Sequence, residues 1–344
     1  MTKFLEIAGR SGTPIIEGRK VTFLWEGESA PVLIGDFTGW DQDPLQLTRA
    51  GENAWIYQTN LPINAYIEYA FLDLQKGKRF PDPKNPRAVP NGLGDSNHYF
   101  YMPEAPSNPL IRRASDILRG EVSRYQVSTD GLAAGKQRRV TLYKPPTAAP
   151  CPLLVILDGN DYLSRGKITQ TIDNLIVQKR IQPLALAMVA HGGQARALEY
   201  LCSEATIAFL VEQVLLLAKE KLNLVDPEQE PYGIMGASLG GLMALFAGLR
   251  IPQIFGRILS QAGSFGFDGH DFVVKDLVHH LPKKPVKVWM DVGIFDYFLS
   301  VNQSMNNLLA TKGYQVQYQE FAGGHNYTSW RNSMWRGLEW LFPA

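Results

Sequence analysis

From residue 116 onward, short apolar runs alternate with stretches of helical period, and few folds accommodate such a chain. Leu153-Leu154-Val155-Ile156-Leu157 has no polar position on either face, as a strand buried on both sides requires. Further strands are expected at 185–189, 232–235, 257–260, 286–291 and 314–321. Helices are expected at 168–178, 203–222, 240–250, 302–311 and 330–342. Strand–helix alternation of this kind predicts a mostly parallel sheet with helices on both faces. An antiparallel pair, 121–128 with 138–144, is expected to open it.

The first third reads differently. Val21-Thr22-Phe23-Leu24-Trp25, Pro31-Val32-Leu33-Ile34-Gly35, Ala54-Trp55-Ile56-Tyr57-Gln58, the run 66–72 and His98-Tyr99-Phe100-Tyr101-Met102 are short strand candidates separated by turns. No helical period lies between them, which suggests a small all-β sandwich over 1–102. Pro103-Glu104-Ala105-Pro106-Ser107-Asn108-Pro109 cannot join a sheet ladder, so 103–115 reads as a Pro-rich linker to an α/β domain at 116–344. A chain of 344 residues exceeds the roughly 250–300 over which one hydrophobic core keeps growing, in line with two domains.

Composition narrows the class of function. Lys and Arg number 34 against 33 Asp and Glu, a formal net charge of +1, which argues against a nucleic-acid role built on a broadly basic surface. No apolar run reaches the roughly 18 residues of a membrane span, so no membrane partner is expected. The start, Met1 to Arg10, carries Glu6 where a secretory leader would have its apolar core. Cys151 and Cys202 alone make no disulfide framework, and a reducing cytoplasm is the expected compartment. No His/Cys/carboxylate cluster has metal-ligand spacing, and no cofactor is expected. Oligomeric state leaves no mark in the sequence.

Gly236-Ala237-Ser238-Leu239-Gly240 matches G-x-S-x-G and lies between an expected strand and an expected helix. In a nucleophile elbow the chain turns so sharply that neighbours two positions away must be tiny. The turn lifts the Ser hydroxyl above the sheet at a helix N-terminus, where the Leu239 amide can stabilise an oxyanion. Gly241 allows that helix to approach closely. Small residues that merely permit a tight turn would produce the same pattern. A Ser needs a His to take its proton and a carboxylate to hold that His in one tautomer. In the order Ser, acid, His, the base candidates are His270, His279, His280 and His325. His279 and His280 suit the solvated end of a helix and His270 a Gly/Asp-rich loop. His325, in Phe321-Ala322-Gly323-Gly324-His325-Asn326, follows the last expected strand and is preferred. For the acid, Asp296 in Asp291-Val292-Gly293-Ile294-Phe295-Asp296 is favoured over Asp291, which can end its strand as a turn acceptor.

Asp158-Gly159-Asn160, the Ser238 elbow, Ser260-Gln261-Ala262-Gly263-Ser264 and Gly323-Gly324-His325-Asn326 through Trp330-Arg331 occur in this order. Together they resemble the esterase D branch of the α/β-hydrolases over roughly 116–344, and most of all the enterochelin (enterobactin) esterases. The resemblance implies an α/β-hydrolase fold, with Ser238 as nucleophile, His325 as base and Asp296 as acid. It also implies an oxyanion hole from the amides of Leu239 and Asn160. Some enterochelin esterases carry Glu at the acid position and feruloyl-esterase relatives carry Asp, so the acid does not fix the substrate.

The first third resembles the companion domain of enterochelin esterases. Gly35-Asp36-Phe37-Thr38-Gly39-Trp40 and Phe80-Pro81-Asp82-Pro83 further resemble immunoglobulin-like glycogen-binding modules. Trp40 matches a sugar-stacking aromatic and Asn97 a polar contact. The second aromatic platform is at best Phe80, and the basic contact has no counterpart, which argues against carbohydrate binding. Trp25, Trp40 and Trp55 equally suit a sandwich core or an interdomain face. The implied substrate is an ester, with a ferric catecholate siderophore trilactone first and feruloyl or acetyl carbohydrate esters second. A non-catalytic glycan-binding or scaffold protein is the third reading. Iron would enter only as part of the substrate. Arg196, Trp330 and Arg331 are candidate contacts for an anionic aromatic ligand. Plain alternatives are a pairing of Arg196 with Glu199 and a role for Trp330 in anchoring the last helix.

Overall fold

The computed structural model describes residues 12–92, 94–113 and 117–344. The expectations for Met1 to Arg10, and for a domain start at Asp116, lie outside them. Two compact units result: one takes the chain up to Ser107 with Gly293–Tyr297 and Phe321–Ser329, and the other takes the remainder.

The second unit is built on an eight-stranded sheet. Its strands in chain order are Glu121–Ser128, Gln137–Lys144, Leu153–Ile156, Ala185–Val189, Tyr232–Ala237, Phe255–Gln261, Lys287–Gly293 and Gln315–Phe321. In space the third and fourth exchange places, and the others follow chain order. Glu121–Ser128 and Gln137–Lys144 pair antiparallel, as expected for 121–128 with 138–144. From Leu153–Ile156 through Lys287–Gly293 the pairing is parallel. Every residue of Leu153–Ile156, Ala185–Val189 and Tyr232–Ala237 is buried, because helices cover the sheet. The helices include Ile168–Val177, Leu239–Arg250, Val273–His280, Leu299–Thr311 and Tyr327–Leu341. Among the described residues no single helix is long and apolar enough to cross a membrane.

One expected element differs in kind. The continuous helix expected at 203–222 is α-helical at Glu204–Phe209 and Leu216–Lys221 but π-helical at Leu210–Leu215. Phe209, Leu210, Val214 and Leu215 are all buried, so the apolar residues recur at five-residue spacing. Only the wider π turn keeps that spacing on one face.

The first unit carries two antiparallel sheets around one apolar core. Lys20–Glu26 and Ala54–Asn60 lead one sheet; Val32–Gly35, Tyr66–Asp73 and Ser96–Tyr101 lead the other. Val21 and Phe23 from the first meet Leu33, Ile67, Tyr69, Phe71 and Phe100 from the second. Phe295 and Ala322, from the two late segments of this unit, pack against the same core.

Candidate active site

The Ser238 turn has the geometry the motif demands. Tyr232–Ala237 ends one residue before Ser238, and Leu239–Arg250 begins one residue after it. Ser238 sits at φ 59°, ψ −125°, a conformation that costs a non-glycine residue about 1–3 kcal/mol and persists only where its surroundings impose it. Here they do. The Ser238 amide donates to Gln261 O at 2.9 Å, and its carbonyl accepts from Leu242 N and Ser264 N at 3.1 Å each. A Cβ on Gly236 would lie 2.5 Å from the Gly240 carbonyl, so the residue two before the Ser can only be glycine. Ser238 Oγ lies 3.3 Å from Ser264 Oγ. Leu239, expected as an oxyanion donor, is the first helical residue, where amides have no partner four residues back.

Asn160, the other expected donor, lies in the first turn of the short helix Gly159–Ser164, after Asp158 in the left-handed region at φ 54°. Asp158 is buried and is gripped by Arg196: Nε donates to Oδ1 at 2.8 Å and Nη2 to Oδ2 at 2.6 Å. Arg196 Nη2 also reaches Ala237 O at 3.3 Å, so one guanidinium ties the segment before Asn160 to the residue before Ser238. The simple alternative of an Arg196–Glu199 pair is not what forms. Glu199 pairs with buried Arg138 instead, at 2.6 and 2.9 Å.

The acid and base candidates meet in the first unit. His325 Nδ1 and Asp296 Oδ2 are 2.8 Å apart, and the Asp296 side chain is fully buried. With its proton on Nδ1, facing a carboxylate, the imidazole keeps Nε2 as an acceptor. The two loops are laced together by Ile294 N to Phe321 O at 2.9 Å and Phe295 N to Gly323 O at 3.2 Å. Tyr297 lays its ring 4.6 Å from that of His325.

Asp291, the competing acid, faces elsewhere. It is buried within Lys287–Gly293 and accepts from Gln261 Nε2, Trp289 Nε1 and Ser333 Oγ. Burial pushes its carboxyl up to about 6 in spite of these donors. Trp330 is only 4% exposed inside Tyr327–Leu341, and its carbonyl accepts from Gln261 Nε2 at 3.1 Å, so it anchors that helix. Arg331 is half-buried and reaches Arg165 O. Sequence reasoning gave no role to Ser264, Tyr297 or Asp158, although the Asp158-Gly159-Asn160 and Ser260–Ser264 motifs contain two of them and the Asp291–Asp296 stretch ends beside the third.

The Trp40 segment is tied inward. Trp40 Nε1 donates to Asp36, the Arg79 guanidinium lies 4.9 Å over its ring, and Asn97 is buried with its amide donating to Glu68. Phe80 packs beside Trp25, and Trp55 Nε1 donates to Gly27 O.

The sequence profile of the family described as "Putative esterase" matches residues 132–341, which include the Ser238 elbow, Asp296 and His325. The chain belongs to this esterase family. An iron(III) enterobactin esterase of Dickeya dadantii is 28% identical, over 97% of this chain and 91% of its own. The crystal structure of a ferric enterobactin esterase from Salmonella typhimurium superposes with a TM-score of 0.79 at 22% identity, covering 98% of both chains. A ferulic acid esterase structure superposes at 0.55 and 16% identity, over 66% of this chain and 98% of its own. The fold is thus that of an esterase, an α/β arrangement of mixed sheets and helices.

Proposed function

We propose that the chain is a serine esterase of the α/β-hydrolase fold that hydrolyses the ester bonds of ferric catecholate siderophores. In this reading an immunoglobulin-like sandwich at 1–102 and a linker at 103–115 precede the hydrolase domain at 116–344. Ser238 is the nucleophile, His325 the base and Asp296 the orienting acid. Nε2 of His325 takes the Ser238 proton as Oγ bonds to the ester carbonyl carbon. The amides of Leu239 and Asn160 hold the oxyanion. The C–O bond to the leaving alcohol then breaks, and the alcohol takes the proton from His325. Water, deprotonated by the same His325, attacks the acyl-enzyme and releases the acid and Ser238.

The observation that carries the mechanism is the buried Asp296 carboxylate 2.8 Å from His325 Nδ1. The substrate class is supported by the Dickeya relative, named an enterobactin esterase, which matches 97% of this chain. The ferulic acid esterase likeness stops at 66% of it. Ser238→Ala is expected to remove the fluorophosphonate adduct and to lower turnover by about 10³-fold or more. A variant that keeps full activity overturns the assignment. Ferric enterobactin is expected to be the better substrate by kcat/KM when assayed beside feruloylated and acetylated sugars. The opposite ranking would move the protein to the carbohydrate-directed class.

A further inference from the structure

The turn Gly35-Asp36-Phe37-Thr38-Gly39-Trp40 has no part in the chemistry above, yet it holds a buried carboxylate against the segment that carries the base. Asp36 is 2% exposed. Its Oδ2 accepts from Glu68 N at 2.8 Å and from Asn326 Nδ2 at 3.3 Å, and its Oδ1 accepts from Trp40 Nε1 at 3.3 Å. Asn326 directly follows His325. The residue before His325 is held as well: a Cβ on Gly324 would fall 2.2 Å from the Asp36 carboxyl carbon. Two residues earlier, Ala322 O accepts from Tyr66 N at 3.0 Å. The imidazole is therefore bracketed in sequence by two contacts to one carboxylate.

A buried carboxyl group needs partners for its oxygens, and burial disfavours its charged form. Glu68 and Asp296 are the acidic groups near Asp36, and burial followed by Glu68 raises its carboxyl well above the usual range. Asn326 has a second task, since its Oδ1 accepts from Ser329 N at 2.9 Å and caps the helix Tyr327–Leu341. One amide group thus joins the cap of the last helix to Asp36.

We infer that Asp36 is a positioning residue for the base: through Asn326 and Gly324 its side chain holds the His325 loop in the register that gives the imidazole its catalytic place. The inference rests on the reading of His325 as the base. It assigns to a turn that resembles a sugar-binding motif the work of bracing a catalytic loop.

Asn326→Ser is the deciding variant, because Ser still caps the helix but is too short to reach Asp36. With a 4-nitrophenyl ester, kcat is expected to fall about tenfold or more while KM stays within about twofold, since a displaced base slows chemistry and leaves binding intact. Fluorophosphonate labelling should slow in step and the melting temperature should hold. Asn326→Asp also keeps the cap but sets a second carboxylate against Asp36, and it should lose more. Combining Asp36→Asn with Asn326→Ser should cost less than the two single losses combined, because both changes disturb the same Asp36–Asn326 contact. A folded Asn326→Ser enzyme with kcat within about twofold of the parent, or an additive double variant, overturns the inference. If Asp36→Asn does not fold, Asn326→Ser decides alone. Ser238→Ala and His325→Ala are assayed in parallel. Activity retained in those two sinks the reading of the site, whereas activity lost there but kept in Asn326→Ser sinks only the role of Asp36.

Discussion

At the scale of single residues, what a carboxylate does here depends on which way its strand or turn points it. Asp291 and Asp296 are five positions apart and equally acidic in the sequence. Asp291 lies inside a buried strand among Gln261, Trp289 and Ser333, whereas Asp296 lies in the turn beyond it and meets His325. Position past the strand end favours Asp296 in the sequence, and side-chain direction in the fold shows what each one meets. Burial lifts Asp291 to about 6, so the folded chain holds this proton to a higher pH than the unfolded chain does. Its contribution is therefore most favourable below pH 4 and is lost as pH rises through 6. The difference is about 3 kcal/mol at pH 7 against an ordinary aspartate near 3.9. Asp291→Asn is expected to flatten that part of the stability profile, measured by urea unfolding at several pH values between 4 and 7. An unchanged slope would mean that another group carries it.

At the scale of elements, the strands and helices of the parallel sheet were legible because apolar runs and helical periods are local. Glu121–Ser128 and Gln137–Lys144 could be read as an antiparallel pair for the same reason. The short strands Ile15–Glu17, Lys78–Phe80 and Ala88–Pro90 were not read, since three residues carry too little pattern to stand out. The π segment Leu210–Leu215 was missed because its five-residue spacing shows only when one knows which face is buried. The elbow is constrained by backbone approach. Gly236→Ala drives a methyl into Gly240, and we expect loss of both fluorophosphonate labelling and several kcal/mol of stability. The Arg138–Glu199 pair, with side chains 6% and 5% exposed, anchors Gly192 N and Ala134 N as well. Glu199→Ala leaves the buried guanidinium with only the Ala190 and Ala134 carbonyls and is expected to cost about 3–5 kcal/mol in denaturant unfolding. A loss under about 1 kcal/mol would show that the site is hydrated or rearranges.

For the molecule as a whole, the segments that carry Asp296 and His325 come from late in the chain but cluster with the first 107 residues. Phe295 and Ala322 pack on the core between the two antiparallel sheets, and Tyr66 and Asp36 hold the His325 loop. A chain beginning at Asn108 would expose these apolar side chains and leave Asn326 without Asp36. Such a fragment is expected to retain helical circular dichroism but to react with fluorophosphonate far more slowly than the full chain. Labelling at the parental rate would show that the loops hold their place without the first 107 residues.

Most strands and helices of the eight-stranded sheet and the glycine-bound Ser238 turn followed from sequence alone, because each is set by contacts between near neighbours. From prolines and a change of pattern the sequence suggested a linker at 103–115, whereas the compact units divide after Ser107 and the first also takes Gly293–Tyr297 and Phe321–Ser329. The tertiary structure alone placed Asp291 among Gln261, Trp289 and Ser333, turned Arg196 onto Asp158, and set Asp36 against Asn326. Those pairings join residues up to 290 positions apart. They depend on which side chains the folded backbone brings to one place, and a sequence read from end to end records no such distance.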